Sequence, residues 1–160
     1  MLLVPQSTRT ASAASINDLK FTQKSDGTYS VAPVSRNISG ELNIPATYNG
    51  KSVTAVGGFE ECVNLTSVII PNSVTTIYNF AFKLCSGLTH VVIPDNVDGI
   101  AWYAFSGCSG LKGEVIIPSG VTFIGVYAFN DCNQLTSVTI PNSVTKLYEG
   151  AFKNCTSLAE

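Results

Sequence analysis

Residues 65–85 carry the feature that most constrains the fold: a set of apolar positions that recurs down the chain. Ile-Pro pairs fall at Ile44-Pro45, Ile70-Pro71, Ile93-Pro94, Ile117-Pro118 and Ile140-Pro141, so the prolines step by 26, 23, 24 and 23 residues. A second ruler, Phe-x-x-Cys, keeps time with the first at Phe59/Cys62, Phe82/Cys85, Phe105/Cys108, Phe129/Cys132 and Phe152/Cys155. The added residue of the third cysteine step lies near Gly113, between Leu111 and Val115. Two rulers sharing one period of this length predict a solenoid, in which each coil packs only on its neighbours.

One coil can be read from its residue types. Val68 and Ile70 share a face of a short strand that begins at Leu65. Proline has no amide to donate, so each Ile-Pro ends its strand. Val74 and Ile77 then turn inward, and Ala81-Phe82 with Cys85 reads as a short helical or 3-10 turn on the opposite side. A lone coil leaves its apolar edge bare, whereas stacking coils at the roughly 4.8 Å spacing of neighbouring strands buries every edge in continuous columns. The columns Val68/Val91/Val115/Val138 and Phe82/Phe105/Phe129/Phe152 are the expected spine of the core.

The pattern L-x-x-V-x-I-P-x-x-V-x-x-I-x-x-x-A-F-x-x-C across residues 41–158 resembles the BspA-like type of leucine-rich repeat. It lacks the asparagine at position 9 and leucine at position 11 of the better-known leucine-rich pattern. A glycine follows the second isoleucine at Ile124-Gly125, but Tyr78, Ala101 and Tyr148 stand there in other coils. The resemblance implies an α/β, β-rich right-handed solenoid of about five coils with a parallel β-sheet on its concave face. It further implies a surface-exposed or secreted interaction protein, typically bacterial or protist.

Composition narrows the function classes. Charged residues make up 12% of the chain, against the usual ~25%. A net charge of −2 with scattered Lys and Arg argues against nucleic acid, which needs a basic stripe. No run approaches the ~20 apolar residues of a membrane span. The five cysteines share one repeat position, so they form an interior column of parallel side chains, and buried free thiols are expected rather than disulfides. With one histidine and no C-x-x-C pair, neither a metal nor any other cofactor is expected.

In chain order, residues 1–16 read as a flexible leader or tag, with Ala11-Ser12-Ala13 resembling the tail of a secretory cleavage site. Residues 17–40 alternate apolar and polar residues around Asp26-Gly27, the signature of a β-hairpin, here assigned to cap the first coil. Residues 41–160 form the solenoid. Tyr48-Asn49-Gly50-Lys51 adds a loop to the first coil, a segment with which BspA-like arrays often begin. The sequence stops at Glu160, just as another strand should start, so self-association through the C-terminal coil is the alternative to a ligand-binding role.

Contacts with a protein or glycan partner are expected on the outward strand residues: Ser67 and Ile69, His90 and Val92, Glu114 and Ile116, Ser137 and Thr139. The column Ile69/Val92/Ile116/Thr139 is apolar for solvent-facing positions, as a partner site would be. Phe80, Tyr103 and Tyr127 share a repeat phase and could stack as a ladder with Trp102 beside it, a second possible contact surface. Ser67, His90 and Glu114 imitate a catalytic triad one coil apart, but nothing suggests an oxyanion hole and no catalytic residue is assigned. Asp95 and Asp98 fall short of the six or more oxygens that calcium takes. The expectation is a non-enzymatic adhesion or interaction module, secreted or at the cell surface.

Overall fold

The computed structural model describes residues 13–159; the leader expected over residues 1–16 lies mostly outside them. The fold is a β-solenoid in which each coil contributes to two parallel ladders. The first ladder takes the strand that ends before each Ile-Pro: β3 (Gly40–Asn43), β6 (Leu65–Ile69), β8 (His90–Val92), β10 (Gly113–Ile116) and β12 (Leu135–Thr139). The second takes the shorter strands that follow: β5 (Lys51–Val56), β7 (Thr76–Ile77), β9 (Gly99–Ile100), β11 (Phe123–Ile124) and β13 (Lys146–Leu147). Sequence reading anticipated the first ladder and only an inward turn at the second.

Antiparallel strands β1 (Leu19–Gln23) and β2 (Tyr29–Pro33) form the hairpin over Asp26-Gly27, and β2 runs parallel to β5 at the edge of the second ladder. The two-residue β4 (Thr47–Tyr48) folds back on β5 through Asn49 and Gly50, both left-handed at φ 48° and 71°. Alanine 14 donates its amide to the Glu41 carbonyl at 2.8 Å, against β3. Tyr48 stacks on Phe21 at 4.0 Å between ring centroids, which ties the first-coil loop to the hairpin.

The segment expected as a short helical or 3-10 turn is neither. Residues 78–85 form successive β-turns in which amides alternate between two kinds of partner. Ala81, Lys83 and Cys85 donate within the turn, to Tyr78, Phe80 and Phe82 carbonyls. Phe80, Phe82 and Leu84 donate instead to Trp102, Ala104 and Ser106 of the next coil. A helix uses every amide inside itself; here half of them join neighbouring coils. The alternation needs left-handed backbone at Phe80 (φ 62°) and Leu84 (φ 60°), and the phase repeats at Tyr103/Gly107, Tyr127/Asp131 and Gly150/Asn154.

Between these ladders lies the core. Phe59, Phe82, Phe105 and Phe129 are fully buried and stack with Phe152 in one column, with neighbouring centroids 5.1–5.5 Å apart. Val68 and Val115 are buried and Val91 and Val138 partly so. In the last described coil, Ile140 and Leu147 are exposed where their counterparts Ile117 and Ile124 are buried.

All five cysteines are buried free thiols. Each of the last four donates its S–H to the carbonyl of the phenylalanine one coil back: Cys85 to Phe59 at 3.0 Å, Cys108 to Phe82 at 3.2 Å, Cys132 to Phe105 at 3.3 Å and Cys155 to Phe129 at 3.1 Å. The column is therefore a hydrogen-bonded seam as well as packing. Burial pushes Cys62 up to about 11 and Cys85 up to about 12, and raises Cys108 well above its ordinary value.

Candidate functional site

The first ladder is interrupted once. Strands β3, β6 and β8 pair in register, as do β10 and β12, but β8 and β10 belong to separate sheets. The break coincides with the one extra residue of the repeat. Gly113, at φ 75°, starts β10 and carries a register shift between Gly113 and Glu114 in its pairing with β12; β3 opens in the same way at Gly40, φ 77°, in its pairing with β6. Lys112 still donates to the Thr89 carbonyl at 3.3 Å; beyond it the strands part.

A cleft of 390 Å³ opens at the break, with Val92, Ile93, Ile116 and Pro118 as apolar walls and the Asp95 and Glu114 carboxylates at its margins. Side-chain alternation places all eight outward residues of the strand face where the sequence predicts: Ser67 is partly exposed, and Ile69, His90, Val92, Glu114, Ile116, Ser137 and Thr139 are exposed. Ile69, Val92 and Ile116 stand 49%, 57% and 63% exposed, a β-branched row that crosses the cleft. Glu114 accepts a hydrogen bond from the Thr139 hydroxyl at 2.6 Å, which holds its carboxylate along the row.

The three residues that imitate a triad are not assembled as one. Ser67 and His90 are register neighbours, yet His90 Nδ1 is engaged by the Thr89 hydroxyl at 2.9 Å. Glu114 lies across the broken pairing and turns to Thr139. No group of three or more His, Cys, Asp or Glu among the described residues could hold a metal ion.

The aromatic expectation is met for the stack and corrected for Trp102. Phe80, Tyr103 and Tyr127 stack at 5.3 Å centroid spacing, with Lys83 Nζ lying 5.4 Å and 5.6 Å from the first two rings and Lys153 Nζ 5.7 Å from the third. Their faces are spent on one another and on these ammonium groups. Trp102 does not join them; it lies on the second ladder, over Gly125 and beside Phe123. Sequence reading assigned no role to Phe123. Its signal was there: an aromatic at the phase occupied by Thr76, Gly99 and Lys146 in other coils.

No helix among the described residues is long and apolar enough to cross a membrane. A search of curated proteins finds no match. Among solved structures, a leucine-rich repeat protein of T. pallidum is 28% identical with a TM-score of 0.84, covering 92% of this chain and 70% of that one. A leucine-rich cell surface protein of Faecalibacterium prausnitzii is 33% identical, TM-score 0.80, over 90% of this chain but 37% of its own. A Bacteroides ovatus leucine-rich repeat protein is 32% identical, TM-score 0.67, over 90% of this chain and 45% of its own. The profile of BspA-type leucine-rich repeat regions matches residues 46–160 with 6 copies of its unit. With the repeat, the two ladders and this profile in agreement, the chain belongs to the BspA-type leucine-rich repeat family.

Proposed function

We propose that this chain is a non-enzymatic interaction module of a secreted or cell-surface protein, binding a protein partner through the β3–β12 face. Family membership points to a protein-interaction module, and a cell-surface setting draws support from the similar F. prausnitzii protein. The observation that carries the reading is the exposed row Ile69, Val92 and Ile116 beside the cleft at the ladder break. Binding energy concentrates where an anchor side chain fills a desolvated pocket within a polar rim. The apolar walls fit an aliphatic or aromatic anchor, and Asp95 with Glu114 fit a neighbouring Lys or Arg. The test is surface plasmon resonance against a panel of extracellular proteins. Changing Ile69, Val92 and Ile116 together to lysine abolishes the binding of whichever panel member the wild type captures, without unfolding an already exposed row. Undiminished capture removes this face from the account.

A further inference from the structure

The outer surface of the second ladder carries aromatic rings that the fold's own packing does not consume. Trp102 is 51% exposed and Tyr148 is 41% exposed. Phe123 meets Tyr148 edge-to-face, with centroids 6.4 Å apart and planes at 87°. Together with Thr122, Thr145 and Lys146 these rings line a pocket of 420 Å³, within the ~300–1,000 Å³ of small-ligand sites.

The rings are seated by glycines. A Cβ at Gly99 would stand 2.0 Å from the Phe123 ring, and one at Gly125 would stand 2.8 Å from Trp102. Each ring therefore lies down over a position where any other residue would lift it. Polar groups around the rings are also held. The Thr122 hydroxyl donates to the Asp98 carbonyl at 2.9 Å, and the Thr145 hydroxyl to the Thr122 carbonyl at 3.4 Å. With their protons committed, both oxygens remain acceptors, while the Lys146 ammonium is a donor. Across Phe123 a second trough of 200 Å³ continues the surface past Gly99 and Ala101 to Tyr78 and Asp98.

We infer that this surface binds a neutral glycan chain. A pyranose ring has an apolar C–H face that packs on an aromatic face and a rim of hydroxyls that needs interleaved donors and acceptors; this surface offers both. Its length, two hollows sharing Phe123, fits several linked sugars rather than one. Nucleic acid would also stack on the rings, but its phosphates need a basic groove; Lys146 is the one cation lining the two hollows, Asp98 lines the second, and the net charge is −2. The site is distinct from the β-branched row on the first ladder, where no aromatic ring is present.

Trp102 is the single tryptophan of the chain, so its emission reports on the site directly. The probes are cellohexaose, xylohexaose, maltohexaose and mannohexaose, titrated into the full chain. At least one shifts the Trp102 emission saturably. Gly99→Ala, which lifts Phe123, and Tyr148→Ala each weaken that probe by at least about fivefold, with far-UV circular dichroism unchanged. Calorimetry on Trp102→Ala shows the same loss, and Val92→Lys on the other ladder binds normally. The inference is overturned if no probe moves the emission up to about 10 mM, or if binding survives both Trp102→Ala and Gly99→Ala. It is equally overturned if only peptides shift the emission.

Discussion

Truncating one ring of the phenylalanine column tests whether the coils are held by their stacked core. Phe105 is fully buried between Phe82, at 5.5 Å and 6° between planes, and Phe129, at 5.2 Å and 10°. Removing a buried phenylalanine costs about 3–5 kcal/mol in transfer and cavity energy. Each lost ring pair is worth about 0.5–1.5 kcal/mol beyond area burial, and Phe105 loses two. Phe105→Ala should therefore cost about 5 kcal/mol. Phe152 is only partly buried and stacks on one side, against Phe129 at 5.3 Å, so Phe152→Ala should cost about 2 kcal/mol. Urea denaturation followed by circular dichroism and Trp102 emission reads the difference. With a slope of about 2 kcal/mol per molar, the midpoint falls by about 2.5 M for Phe105→Ala and by about 1 M for Phe152→Ala. Equal shifts would show that stability does not accumulate through coil-to-coil stacking, and the reasoning would fail.

Other outcomes follow from the same structure. The native thiols should resist Ellman's reagent at mildly alkaline pH and all five should react in denaturant; rapid native labelling of Cys85 or Cys108 would contradict their burial. Because Cys62 is raised to about 11 and Cys85 to about 12 from an ordinary 9.0, the unfolded chain loses thiol protons before the folded one. The stability those thiols contribute is whole below pH 9 and declines as pH climbs toward 11–12; the urea midpoint should drop over that window, and less so in Cys85→Ala. Asp26 runs the other way: bonds from the Thr28 hydroxyl and amide and from Lys24 hold its carboxyl down at about 2. Its contribution to the hairpin is present above the ordinary carboxylate range and fades as pH falls toward 2. Amide exchange across β1–β2 should show that acid limb in the wild type and lack it in Asp26→Asn.

Much of the fold was legible because period and burial are the same fact in a solenoid. The spacing of Phe59, Phe82, Phe105, Phe129 and Phe152 placed the core column, and each Ile-Pro marked a strand end: β6, β8, β10 and β12 all stop at the residue just before it. Strand alternation placed Ile69, Val92 and Ile116 outside for the same reason. The turns were misread because alanine, phenylalanine and cysteine suit a helical turn, and the deciding factor, amides shared between coils, is non-local. The extra residue at Gly113 was visible, but the parting of β8 from β10 beside it was not, because strand pairing between coils is non-local. Trp102 was misplaced because adjacent residues of a tight turn leave in different directions. Tyr103 enters the ring stack, whereas Trp102 lies over Gly125, so one step in sequence separates two surfaces.

Site-specific photo-crosslinking tests the proposed interaction face most directly. A benzoyl-phenylalanine at Val92, on the wall of the 390 Å³ cleft, should join covalently to whichever panel protein the wild type captures. The same group at Lys153, exposed on the turn side over Tyr127, should give no adduct, and the lysine triple variant should abolish the Val92 adduct. Adducts from Lys153 and none from Val92, or capture undiminished in the triple variant, would contradict binding through the β3–β12 face.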